Sequence, residues 1–129
     1  MKTDREIIET LSVEKFRRLG IACCHRLGCD RRDKRLGQAL KTLERSLGPP
    51  LSEKLRRDAF NAANSACTDL RRKSELDNAI ACTVLCACES GPTSLLLGNF
   101  VWGLVKGERL SHTEAADIVT GMVRAVVDG

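Results

Sequence analysis

The chain has no tyrosine, and its aromatic side chains are limited to Phe16, Phe60, Phe100 and Trp102. A core must therefore be built from Leu, Ile, Val, Ala and Cys. Few aromatics are available to stack on unpaired bases, and none lies among the arginine pairs except Phe16, which sits on an apolar stripe. Long apolar runs are missing too. The apolar run 79–88 is 10 residues, against the roughly 18–20 that a membrane-spanning helix requires. Acidic residues interrupt the opening MKTDREIIET, so no secretory signal and no membrane association are expected, and a cytoplasmic location is.

Catalytic signatures are also absent. There are two histidines, His25 and His112, and no Gly-rich phosphate loop, G-x-S-x-G or H-E-x-x-H. Asp and Glu collect at helix starts, where capping and the helix dipole account for them. The expectation is a protein that is not an enzyme and holds no cofactor.

What is present is helical punctuation. Thr3-Asp-Arg-Glu6 and Ser111-His-Thr-Glu114 have the capping-box pattern, and Ser12, Ser52 and Ser74 stand where further helices would begin. Val13, Phe16, Gly20, Cys23/Cys24 and Leu27 recur at three- and four-residue spacing, and Gly28 is a natural stop. Asp30 is expected to start the next helix, striped by Leu36, Leu40, Leu43 and Leu47 and ended by Gly48-Pro49-Pro50.

Leu55, Ala59/Phe60, Ala63, Ala66/Cys67 and Leu70 form the inward face of a fourth helix. The segment 75–89 is apolar nearly all round, which places it at the centre of a bundle. Ser90-Gly91-Pro92 breaks it before a helix over 93–106, where Gly98 and Gly103 permit close packing. No strand pattern and no internal repeat appear. The reading is all-α, a compact bundle of five to seven helices in a single domain, 1–129.

The charges are divided. Residues 1–73 carry 18 Lys/Arg against 10 Asp/Glu, a net of +8, whereas residues 74–129 carry 3 against 7, a net of −4. Arg17, Arg18, Arg31, Arg32, Arg35, Arg56, Arg57, Arg71 and Arg72 are the candidate binding residues for a protein partner or for nucleic acid. Against a nucleic-acid footprint stand the interleaved acids (Asp30, Asp33, Glu44, Glu53, Asp58, Asp69) and a pI of about 8.8. The same division also offers a route to a homo-oligomer, in which the basic half of one copy meets the acidic half of another.

Seven cysteines, at 23, 24, 29, 67, 82, 86 and 88, are an odd number and suit reduced thiols rather than a disulfide framework. Cys23-Cys24-His25-x3-Cys29 and Cys82-x3-Cys86-x-Cys88 contain soft donors for Zn²⁺ or Cu⁺, with Cys82/Cys86 and His25/Cys29 one helical turn apart. A thiolate metal-binding bundle is therefore an alternative, similar in outline to copper-storage proteins although with far fewer cysteines. His25 could also activate a neighbouring thiol. The simpler reading, which assigns no metal ligand, is that these cysteines pack as small apolar side chains.

Lys15-Phe-Arg-Arg-Leu-Gly-Ile-Ala-Cys-Cys-His-Arg-Leu27, followed by Arg31-Arg32-Asp-Lys-Arg-Leu36 and an Ala/Leu helix, resembles the opening of a group of uncharacterised bacterial helical proteins. Those begin with a Leu-Arg-x-Phe-Ala-Cys-x-Cys-Cys-Arg-Arg type of segment. The likeness covers about residues 15–70, with Gly20 and Ile21 in place of Phe-Ala and His25 in place of Arg. It implies a bacterial, all-helical, non-enzymatic protein and carries no site with it. The leading functional expectation is an interaction module: an adaptor, an immunity-type inhibitor or a small assembly subunit.

Overall fold

Local capping sets where the helices begin. In the computed structural model, which describes residues 4–45, 52–70, 72–88 and 93–128, seven α-helices follow one another: α1 (Asp4–Glu9), α2 (Val13–Leu27), α3 (Lys34–Arg45), α4 (Glu53–Leu70), α5 (Glu75–Cys88), α6 (Thr93–Glu108) and α7 (His112–Asp128). The Ser12, Ser52 and Ser74 hydroxyls accept from the backbone N–H groups of Lys15, Leu55 and Asp77 at 3.2, 3.2 and 3.0 Å. At α7 the full capping box forms: Glu114 N–H donates to Ser111 Oγ (3.1 Å), and Ser111 N–H donates to Glu114 Oε1 (3.2 Å). The Thr3 box and the turns at 48–50 and 90–92 lie outside the described residues.

Gly28 ends α2 in the left-handed conformation, φ +67°, with its N–H bonded to the Cys24 and His25 carbonyls. The next element departs from expectation. Asp30 lies inside a 3₁₀ turn, Cys29–Arg31, and α3 starts at Lys34. Asp33 is the residue that caps it, its Oδ1 accepting the Arg35 backbone N–H at 2.8 Å. Either aspartate is a residue type that can cap, but the tight turn that Gly28 permits takes up Cys29, Asp30 and Arg31 and leaves the cap to Asp33.

Helix α5 is the centre of the bundle, as its all-round apolar character requires. It packs against α2, α3, α4 and α6, and buries Ala79, Ile80, Ala81, Thr83, Val84, Cys86 and Ala87. Thr83 is the buried polar side chain among the described residues, and its hydroxyl donates to the Ala79 carbonyl at 2.7 Å. The buried residues form a single apolar cluster, from Phe16 and Leu19 on α2 through Leu36, Leu40 and Leu43 on α3 to Leu96, Phe100 and Leu104 on α6. The fold is all-α, and no described helix is long and apolar enough to cross a membrane.

Glycines and alanines bring the helices close. Gly103 of α6 faces Leu27, where a Cβ would stand 3.0 Å from the leucine Cδ2, as the expected close packing requires. Gly98 is different: nothing lies within 4 Å of its Cβ position, so it opens onto a groove rather than a neighbour. Leu55 also departs from the inward face assigned to it. It is 43% exposed in the first turn of α4, one turn outside the buried stripe Ala59, Ala63, Ala66 and Leu70.

Helix α7 is the least embedded of the long helices. Only Ala115 and Val123 are buried on it, while Ile118, Val119, Met122, Val126 and Val127 are half-buried against the core. Its C-terminal end is held by Lys15, whose ammonium donates to the Val127 carbonyl at 2.9 Å.

Candidate functional site

At least four of the nine candidate arginines are engaged with carboxylates of the chain itself. Arg18 pairs with Glu14 (2.9 Å), Arg32 with Asp77 (3.1 Å) and Arg57 with Glu53 (3.7 Å). Arg35 is the most constrained: it bonds Asp33 at 2.9 and 3.0 Å, Asp69 at 2.7 Å and Ser65 at 3.0 Å. These bonds hold the Asp33 carboxyl below its ordinary pKa and raise that of Arg35. Arg17 is half-buried on α2, Arg31, Arg56 and Arg72 are exposed, and Arg71 lies outside the described residues.

These residues are also spread out. Arg57 stands 12 positions before Asp69 on α4, or about 18 Å along the helix, so it is far from the end where Arg35 is bound. Arg31 and Arg32 join His25 and Arg26 at the opposite end of α2 from Arg17 and Arg18. There they rim a cavity of about 670 Å³ whose apolar lining is Leu27, Leu76 and Ile80. Asp30 and Glu108 share that rim, and Arg26 bonds Glu108 at 2.8 Å. The mouth is therefore mixed in sign.

The two cysteine clusters come within electrostatic reach of each other through Cys24 and Cys88. Cys23, Cys24 and Cys29 are buried. Burial pushes the Cys23 thiol up to about 12, and hydrogen bonding to Cys29 together with burial raises Cys24 well above the ordinary thiol range. His25 does not join them. It is exposed, and its Nε2 lies 2.6 Å from Glu44 Oε1, a histidine–carboxylate pair in place of the histidine–cysteine alternative. The His25/Cys29 register also fails, because α2 stops at Leu27 and Cys29 opens the 3₁₀ turn.

Cys82 and Cys86 are one turn apart on α5 but meet different neighbours. Cys82 Sγ is 3.6 Å from Cys67 Sγ of α4, whereas Cys86 accepts from Asn99 Nδ2 of α6 at 3.7 Å. Among the described residues, no three His, Cys, Asp or Glu side chains gather as a metal site would require.

The feature that sequence reasoning missed is an apolar groove of about 590 Å³ between α1, α6 and α7. Leu97, Gly98, Val101 and Trp102 of α6 line it together with Val119 of α7, and Glu9, Ser94 and His112 form its polar edge. Trp102 is 39% exposed and Leu95, on the same helix, 52%. The Lys106 ammonium lies 4.7 Å from the centre of the Trp102 ring and bonds Glu75 at 3.0 Å, so one side of the indole is already taken.

A signal for the groove was present in the sequence. Leu96, Leu97, Phe100, Gly103 and Leu104 fill the core-facing stripe of α6. Leu95, Val101 and Trp102 are then apolar residues in excess of what that stripe needs.

No protein-family model, no curated protein and no solved structure matches this chain.

Proposed function

We propose that the protein is a non-catalytic interaction module that docks a protein partner in the groove between α1, α6 and α7. The observation that carries this reading is the groove itself: an apolar trough next to a part-exposed tryptophan on a helix whose opposite face already fills the core. Apolar clefts with an aromatic at the edge and a polar rim are where side chains of a partner gain most from leaving water. The open space beside Gly98 leaves room for such a side chain.

Electrostatics favours protein over nucleic acid. To reach a phosphate, Arg35 would have to give up its bonds to Asp33 and Asp69, which offsets part of the gain, whereas the exposed pairs of Arg18 and Arg57 cost little to exchange. The divided net charge then serves orientation and association rate.

The test is affinity purification from the native host at low salt, with wild type and Gly98→Arg side by side, followed by mass spectrometry and nucleic-acid extraction. Gly98 is exposed and has no neighbour within 4 Å, so a long side chain there fills the groove without disturbing the core. A protein recovered stoichiometrically by wild type and lost with Gly98→Arg is the expected result. Recovery of nucleic acid alone, or of the same protein by both forms, overturns the reading.

A further inference from the structure

The Sγ atoms of Cys67 on α4 and Cys82 on α5 stand 3.6 Å apart, and both residues are half-exposed. Their meeting follows from how α4 and α5 pack. The inward stripe of α4 is Ala59, Ala63 and Ala66, small side chains that let the two backbones approach closely. Cys67 follows Ala66 at the edge of that stripe, and Cys82 flanks buried Ala81 on α5. The Cys82 thiol also lies 3.6 Å from Asn78 Oδ1, one turn back on its own helix. We propose that Cys67 and Cys82 are an oxidation site, a thiol pair that closes into an interhelical disulfide when an oxidised low-molecular-weight thiol is supplied.

The chemistry is two successive thiol–disulfide exchanges. One protein thiol loses its proton, attacks a sulfur of the small disulfide RSSR and expels RS⁻, leaving a mixed disulfide. The second protein thiolate attacks the protein sulfur of that adduct and expels the other RS⁻. The two thiols are oxidised to one disulfide, RSSR is reduced to two RSH, and the two protons go to the leaving thiolates. Closure brings the sulfurs from 3.6 Å to about 2.0 Å, a shift of about 1.6 Å that side-chain rotation and slight helix movement can share.

The other cysteines are placed differently. Cys23, Cys24, Cys29 and Cys86 are buried, and burial holds the Cys23 thiol protonated. Cys88 is half-exposed and lines a shallow cleft with Glu53, Arg56, Arg57 and Phe60, which makes it the competing site for a small disulfide.

The experiment treats the full chain with oxidised glutathione, then denatures it, alkylates it and maps the peptides. Wild type is expected to keep five alkylatable thiols of its seven, with the missing two in one peptide pair joining positions 67 and 82, reversed by a reductant. The linked form should melt roughly 10 °C higher, because the bridge closes a loop of about 15 residues. Cys67→Ser should arrest at a glutathione adduct on Cys82, and Cys82→Ser at one on Cys67, with circular dichroism reporting that both variants fold.

Seven alkylatable thiols in oxidised wild type would overturn the proposal. So would a bridge between any other pair, an adduct confined to Cys88, or a glutathione adduct that persists at position 67 or 82 without cross-linking.

Discussion

Gly20 of α2 lies so close to Ala87 of α5 that a methyl group at position 20 would stand 2.8 Å from the Ala87 Cβ and 3.3 Å from its Cα. The obstructing atoms are backbone and a Cβ fixed to it, so no rotamer change relieves the clash. Gly20→Ala should therefore destabilise the protein although alanine is the better helix former. Overpacking costs about 1–3 kcal/mol, and helix propensity returns ~1 kcal/mol. A net loss of up to about 2 kcal/mol is expected, read as a lower urea midpoint at unchanged slope. Gly121→Ala is the control: position 121 is exposed within α7 with nothing within 4 Å, and the same change there should stabilise by about 0.5–1 kcal/mol.

Gly28 tests a different property of glycine. Its φ of +67° is left-handed, and its environment is open, with the Arg31 side chain as its neighbour at 3.9 Å. Gly28→Ala should cost about 1 kcal/mol through backbone strain alone. Thermal unfolding of this variant beside Gly20→Ala separates strain at a turn from crowding at an interface.

Most helix starts were readable because capping is local. A serine followed three residues later by the amide it bonds is visible in the sequence at Ser12, Ser52, Ser74 and Ser111, and each pairing is found. The central place of α5 was readable for a related reason: a helix without a polar face has one kind of place to go.

What could not be read depends on which helices face one another. The pairs Arg35–Asp69, Arg32–Asp77 and Arg26–Glu108 join residues 34, 45 and 82 positions apart. A basic first half thus looked more available than it is. The contact between Cys67 and Cys82 is of the same kind, since nothing in either residue's local pattern announces the other.

Asp33 should leave its mark on the acid side of the stability curve. Arg35 bonds its carboxyl and holds its pKa below the ordinary 3.8. A lowered folded-state pKa means that the stabilisation is fully present above the unfolded value and is lost as pH falls through the folded one. Asp33→Asn keeps the oxygen that caps α3 and removes the charge. Wild type should exceed the variant by a constant margin near neutrality, and the margin should shrink below about pH 4 and vanish once Asp33 is protonated. A margin that grew on acidification would contradict this assignment.

Thiol accessibility supplies a further check. Under native conditions at pH ~8, a small alkylating agent should modify Cys67, Cys82 and Cys88 well before Cys23 and Cys24, because only the thiolate reacts and burial disfavours it at those two. Mass spectrometry over time reads the order directly. Early labelling at Cys24, the thiol tied to Cys29, would show that the α2 end of the core opens far more readily than its packing indicates.

The all-apolar α5 has a consequence for how the chain is made. A ribosome releases α2, α3 and α4 before α5, and those are three of the four helices that α5 packs against. The stickiest segment thus emerges onto a half-built bundle, and α6, next in line, closes the remaining side. Synthesis proceeds at roughly 5–20 residues per second, so the interval between α5 and the end of α6 is about one to four seconds. Order of birth limits the exposure of a helix that could not safely appear first.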